Sequence, residues 1–210
     1  MAARADSPLT LVGPAGAIEA ALTEPDGAVA PDTFAVVCHP HPLHDGTMDN
    51  KVVHTLARSF AKRGVPAIRF NFRGVGGSAG AYDAGDGEVE DTLAVSAYMR
   101  ERFGDRPAWL AGFSFGSFVA LRAATRAPCA GLVMVAPPVQ RFPFDQALPD
   151  CPILVIQGDA DDVVDCADVQ AWAYAAKPMP RFELLPGVGH FFHGHLNDLR
   201  KILEAFLGDA

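Results

Sequence analysis

The chain has 210 residues, is 50% hydrophobic and carries a formal net charge of −8. Its length and apolar content suit one soluble domain over residues 1–210 with a sizeable core. The negative charge offers polyanions no general attraction, which argues against nucleic acid as a partner.

The first residues, Met1 to Pro8, lack the continuous apolar core of a signal peptide, and no apolar stretch is long enough to span a bilayer. A cytoplasmic protein with no membrane partner, a monomer or weak homodimer, is therefore expected. Two short apolar runs, near Pro8 to Val12 and Ala17 to Thr23, are close enough in sequence to form an antiparallel pair. Apolar runs then alternate with amphipathic segments, the pattern of helices crossing over a largely parallel sheet. Strands are predicted at Phe34–Cys38, Val65–Phe72, Pro107–Phe113, Gly131–Val135, Ile153–Gln157 and Phe182–Leu185. Helices are predicted at Asn50–Arg63, Glu88–Arg102, Phe115–Arg126, Ala167–Ala176 and Leu196–Leu207. This is an α/β domain of three layers on an eight-stranded sheet. The cysteines Cys38, Cys129, Cys151 and Cys166 form no C-x-x-C pair, lie mostly in or beside apolar strands, and read as small core residues.

The most informative segment is Gly112-Phe113-Ser114-Phe115-Gly116. It follows the apolar strand Ala108-Trp109-Leu110-Ala111 and opens a helix, so Ser114 falls at the apex of a tight strand-to-helix turn. Side chains at Gly112 and Gly116 would drive strand and helix apart. In an open parallel sheet ligands bind beyond the carboxyl ends of the strands, which directs attention to the loops there. One of them is the acidic turn Gly158-Asp159-Ala160-Asp161-Asp162-Val163-Val164-Asp165. Another, Pro186-Gly187-Val188-Gly189-His190-Phe191-Phe192, presents a histidine on glycine hinges. The order along the chain is serine, aspartate, histidine.

With that order, and from the strand before His39 to the terminal helix, the chain resembles the α/β-hydrolase superfamily. Two segments, Cys38-His39-Pro40-His41-Pro42 with Gly46 to Lys51, and Phe70-Asn71-Phe72-Arg73-Gly74, look like those of small bacterial hydrolases related to dienelactone hydrolases. Dienelactone hydrolase itself has cysteine at the elbow where this chain has serine, so its substrate does not carry over. The resemblance implies Ser114 as nucleophile, Asp161 as orienting acid and His190 as base. Asp161 is selected because the superfamily acid lies three residues after the turn glycine. Asp162 is its nearest rival, Asp159 is another, and Asp165 is better placed to cap the following helix.

A neutral hydroxyl is a poor nucleophile, so a histidine must take its proton, and the imidazolium then needs a fixed counter-charge. The oxyanion hole is expected to pair the Phe115 N–H with an N–H from the loop after Phe34–Cys38. Pro40 and Pro42 have no N–H, which leaves His41 or Leu43. The place of His41 relative to His39 resembles that of the donor in many hydrolases and favours His41.

Other readings compete. His39, His41 and His44 share one loop and His190, His193 and His195 another, as a metallohydrolase would want, yet neither H-x-H-x-D-H nor H-E-x-x-H is present. Gly74-Val75-Gly76-Gly77-Ser78-Ala79 satisfies a dinucleotide fingerprint, but loop formers follow it where a helix should begin. Those glycines fit a loop that passes close to the elbow, with Arg73 either its anchor or a surface arginine. No cofactor and no metal are expected.

Ala136 to Asp150 is too short for a lid domain, and the site should be open, with an edge from this loop, including Phe142, and from Met48 and Phe191. The sequence thus points to a lidless serine hydrolase that cleaves short-chain carboxylic esters, or thioesters, through an acyl-enzyme. A hydrolase-fold binding protein without turnover is the alternative from a different class.

Overall fold

The computed structural model describes residues 6–26, 32–144 and 147–209. The first five residues of the N-terminal segment, and Asp145 and Gln146 of the 136–150 connection, lie outside the described residues. Eight strands form one sheet: β1 (Ser7–Gly13), β2 (Gly16–Thr23), β3 (Phe34–Cys38), β4 (Ala67–Phe70), β5 (Ala108–Phe113), β6 (Cys129–Val135), β7 (Ile153–Gly158) and β8 (Arg181–Leu185). Five helices cover it: α1 (Lys51–Lys62), α2 (Asp86–Phe103), α3 (Phe115–Ala124), α4 (Cys166–Ala175) and α5 (Leu196–Asp209). The strand order is β1-β2-β4-β3-β5-β6-β7-β8. β1 pairs antiparallel with β2, as expected, and β2 with β4, while the other pairings are parallel.

The period-2 alternation of a strand divides the core between the two faces of the sheet. Leu110, Leu132, Met134, Ile153 and Val155 pack with α2, α3 and α4 on one side. Trp109, Ala111, Val133, Val135, Leu154 and Ile156 pack with α1 and α5 on the other. The central strands are apolar throughout because both faces are covered.

Most element boundaries fall within two residues of the sequence expectation, but β4 is four residues long rather than eight. Pro66 has no N–H for the ladder. The Asn71 N–H still meets β2, at Glu19 O and 2.8 Å, but the Phe72 N–H leaves the sheet for His39 Nε2 at 3.0 Å. A 3-10 turn at Pro42–His44 was not foreseen.

The loop after β4 is no dinucleotide site. Its Gly77 N–H donates to Glu19 Oε2 and its Ser78 hydroxyl to Asn71 O, both at 2.7 Å, and α2 begins only at Asp86. Arg73 anchors it, with Nε and Nη2 on the two oxygens of buried Asp91 at 3.0 and 2.8 Å.

At the end of β5 the chain has no room to spare. A Cβ on Gly112 would overlap the Gly116 carbonyl, and one on Gly116 would overlap the Cys38 and His39 carbonyl oxygens. Gly112→Ala should therefore cost about 1–3 kcal/mol, the usual range for overpacking. Urea unfolding should show a lower midpoint at unchanged slope.

Candidate active site

Ser114 sits between β5 and α3 with φ 53° and ψ −123°, a left-handed conformation that a non-glycine residue adopts only when its surroundings enforce it. Enforcement comes from the Ser114 N–H bond to Val135 O at 2.8 Å and from the Ser117 N–H and hydroxyl on Ser114 O at 2.8 and 2.6 Å. The side chain is thereby lifted clear of the sheet at the N-terminus of α3.

The structure brings Ser114, His190 and Asp161 into one hydrogen-bonded line. His190 Nε2 is 3.2 Å from Ser114 Oγ, and His190 Nδ1 is 2.8 Å from Asp161 Oδ2. A carboxylate can only accept, so Nδ1 carries the proton and Nε2 presents its lone pair to the serine. Burial pushes the Asp161 carboxyl up, but the hydrogen bonds from His190 and from the Val164 and Val163 N–H groups outweigh it and hold the carboxyl below its ordinary value. The other acids of the turn are elsewhere. Asp165 Oδ1 caps α4 by accepting from the Ala167 N–H at 2.7 Å, Asp159 Oδ1 accepts from the Gly187 N–H at 2.6 Å, and Asp162 is exposed.

Gln157 had no signal in the sequence. Its amide Nε2 donates to Asp161 Oδ2 at 3.0 Å, the oxygen that also accepts from His190, and to Gly158 O at 3.2 Å. Its Oε1 is buried without a partner among the described residues. Facing acceptors on one side, the amide has its orientation fixed, and the orphaned oxygen is the cost of that aim.

The loop after β3 is built around His39. This imidazole is fully buried; it accepts from the Phe72 N–H through Nε2, so its Nδ1–H donates to Pro40 O at 2.6 Å. Burial drives its pKa down to about 4. The two oxyanion candidates differ in their state. The Leu43 N–H donates to His41 Nδ1 at 3.2 Å, whereas the N–H groups of His41 and Phe115 have no hydrogen-bond partner among the described residues.

A cavity of about 600 Å³ opens over Ser114, with His41, Phe115, Phe142 and Phe191 in its wall. Phe142 stacks on Phe118 with ring centroids 4.9 Å apart, and Phe191 stands edge-on to His190 at 5.2 Å and is half exposed. Met48 does not reach the cavity wall. Its N–H is tied to Asn71 Oδ1 at 2.8 Å and its carbonyl to Arg69 Nη1 at 2.7 Å, which buries the residue within its loop. Arg141, whose Nη2 donates to Val163 O at 2.9 Å, and Val164 join the wall instead, and neither was distinguished in the sequence.

His41 and His44 from one histidine group and His190 from the other line the same cavity, while the other members have separate surroundings. His193 stacks on Phe191, and His195 pairs with Asp198 at 3.2 Å. Among the described residues no three His, Cys, Asp or Glu side chains are grouped to hold a metal ion. No helix among them is long and apolar enough to cross a membrane.

A serine at the elbow of a mostly parallel eight-stranded sheet, with only a short connection between β6 and β7, defines the fold of the lidless α/β serine hydrolases. More particularly, the sequence profile of the Hydrolase_4 family, described as serine aminopeptidase S33, matches residues 35–149, and the chain belongs to that family. The chain is similar to a solved α/β serine hydrolase without lid from Xanthomonas campestris, at 42% identity and a TM-score of 0.93, over 97% of this chain and 94% of that one. It is also similar to an α/β serine hydrolase homologue from Coxiella burnetii, at 41% identity and a TM-score of 0.90, over 95% and 96% of the two chains. An uncharacterised protein of Rickettsia prowazekii is 33% identical over 207 residues, 93% of this chain and 86% of that protein.

The state of His39 makes stability depend on pH. Its pKa is about 4 in the folded protein against an ordinary 6.5, so between those values the unfolded chain binds the extra proton and stability falls as pH drops. Linkage over that window amounts to about 3 kcal/mol. His39→Gln should flatten the pH 4–6.5 limb of a plot of unfolding free energy against pH, relative to the wild type; an unchanged limb would show that His39 titrates normally.

Proposed function

We propose that the protein is a serine carboxylesterase acting on short-chain, water-soluble esters through an acyl-enzyme. The observation that carries this reading is the continuous line from Ser114 Oγ through His190 to Asp161. Ser114 Oγ attacks the ester carbonyl while His190 Nε2 takes its proton. Asp161 stabilises the imidazolium, and the N–H groups of Phe115 and His41 receive the oxyanion. Collapse of the tetrahedral intermediate breaks the bond to the alcohol, which leaves with the proton from His190. Water, deprotonated by the same imidazole, then releases the acid and restores Ser114.

The family description invites comparison with an aminopeptidase. Such an enzyme must hold a substrate ammonium, for which an anionic anchor is required. Apart from the proposed triad, the described cavity wall offers one carboxylate, the exposed Asp45. Phe115, Phe142 and Phe191 give an apolar surface suited to a small acyl or alcohol group.

Fluorophosphonate should label the wild type and not Ser114→Ala, whose turnover of p-nitrophenyl acetate should fall by about 10⁶. Asp161→Asn should cost about 10⁴ and Asp162→Asn far less. Aminoacyl anilides should be poor substrates, and their hydrolysis in preference to esters would overturn the esterase reading.

Chain length supplies a separate check. Each buried methylene contributes only about 0.8 kcal/mol and an exposed one almost nothing, so an open cavity rewards short acyl groups. Across p-nitrophenyl esters, kcat/KM should peak between acetyl and hexanoyl and fall beyond roughly eight carbons. A steady rise to dodecanoyl would contradict the short-chain assignment.

A further inference from the structure

Two cysteines expected to be plain core residues lie side by side. The sulfur atoms of Cys129 and Cys151 are 3.2 Å apart, and both residues are half-buried free thiols. Cys129 opens β6 and Cys151 stands just before β7. Because Leu132 pairs with Ile153 in parallel register, the two strand entries are held next to each other at the amino edge of the sheet, opposite Ser114. A surface hollow of about 370 Å³ includes Cys129, Leu148 and Asp150 in its wall, and Cys151 beside it is itself only partly buried.

We propose that Cys129 and Cys151 form a reversible disulfide when the protein meets a peroxide. Between the neutral thiols the Cys151 S–H donates to Cys129 Sγ; once Cys151 ionises, the Cys129 S–H can donate to its thiolate, which holds the Cys151 thiol below its ordinary value and raises that of Cys129. Cys151 is therefore the attacking sulfur. Its thiolate attacks one peroxide oxygen, the O–O bond breaks, and the departing hydroxide takes a proton to become water. The Cys151 sulfenic acid is then attacked by Cys129, the S–S bond forms, and the sulfenic oxygen leaves as a second water. Together the two thiols have given two protons and two electrons to one peroxide. A dithiol reductant reverses the change.

The bond would close a loop over residues 130–150, which holds β6 and the cavity residues Arg141 and Phe142. Restricting that loop in the unfolded chain stabilises the folded one. For a chain of this size the expected rise in Tm is roughly 5–10 °C. Cys38 stays out of the reaction, since full burial pushes its thiol up to about 12.

The purified chain, exposed to a small excess of hydrogen peroxide and then alkylated under denaturing conditions, should retain two of its four thiols. Peptide mass spectrometry should find Cys129 joined to Cys151, the pair lighter by two hydrogens, and dithiothreitol should restore all four thiols and the original Tm. Cys129→Ser and Cys151→Ser proteins should gain no Tm under the same treatment. Four free thiols, separate sulfinic acids, links between chains, or a joined pair with unchanged Tm would each overturn the proposal. The wild-type measurements decide it even if a serine variant fails to fold.

Discussion

The close approach of the first turn of α3 to β3 is the constraint on which the rest depends. Gly116 touches the Cys38 and His39 carbonyls, and Gly112 leaves space for Gly116 in turn. With helix and strands so near, the intervening turn has to be short, and Ser114 is forced into the left-handed region. The same proximity leaves the Phe115 N–H at an uncapped helix N-terminus, where partial positive charge collects. The His39 loop then has to leave β3 around the elbow instead of across it.

That loop is held from a distance. His39 links Phe72 to Pro40, Asn71 holds Met48, and the Glu19 carboxylate accepts from both Asn71 Nδ2 and the Gly77 N–H at 2.7 Å. Glu19 belongs to β2, so the antiparallel hairpin at the sheet edge takes part in shaping the cavity on the central strands. A neutral, buried imidazole suits the centre of this network because it can accept on one nitrogen and donate on the other without bringing a charge into the core.

Much of this was legible in the sequence, for identifiable reasons. The strands could be placed because the buried central ones are continuous apolar runs, and Ser114 because the steric demands of the elbow leave glycines at fixed offsets. Asp161 was preferred to Asp162 by its count from Gly158, which the resemblance to the superfamily implies, and the structure places Asp161 rather than Asp162 against His190. What remained hidden depends on contacts between segments distant in sequence. Gln157 looks like one more strand residue until the turn folds back and sets Asp161 against its amide. Met48 looked available for substrate because the bonds from Asn71 and Arg69 that bury it come from a different strand. Cys129 and Cys151, separated by 22 positions, meet only through the register of β6 and β7. The excess length expected for β4 at its carboxyl end has the same origin, since Phe72 has a strand-like side chain but spends its N–H on His39.

The conformation of Ser114 also bears on how far this protein can be stabilised. A non-glycine residue at φ 53° carries a standing conformational penalty on the order of 1–2 kcal/mol, comparable with what a single good stabilising substitution returns. Selection for heat resistance alone would favour glycine there and discard the hydroxyl. Stabilisation by directed evolution therefore needs an activity screen running beside the thermal one, or the elbow becomes the easiest position at which to trade turnover for a higher melting temperature.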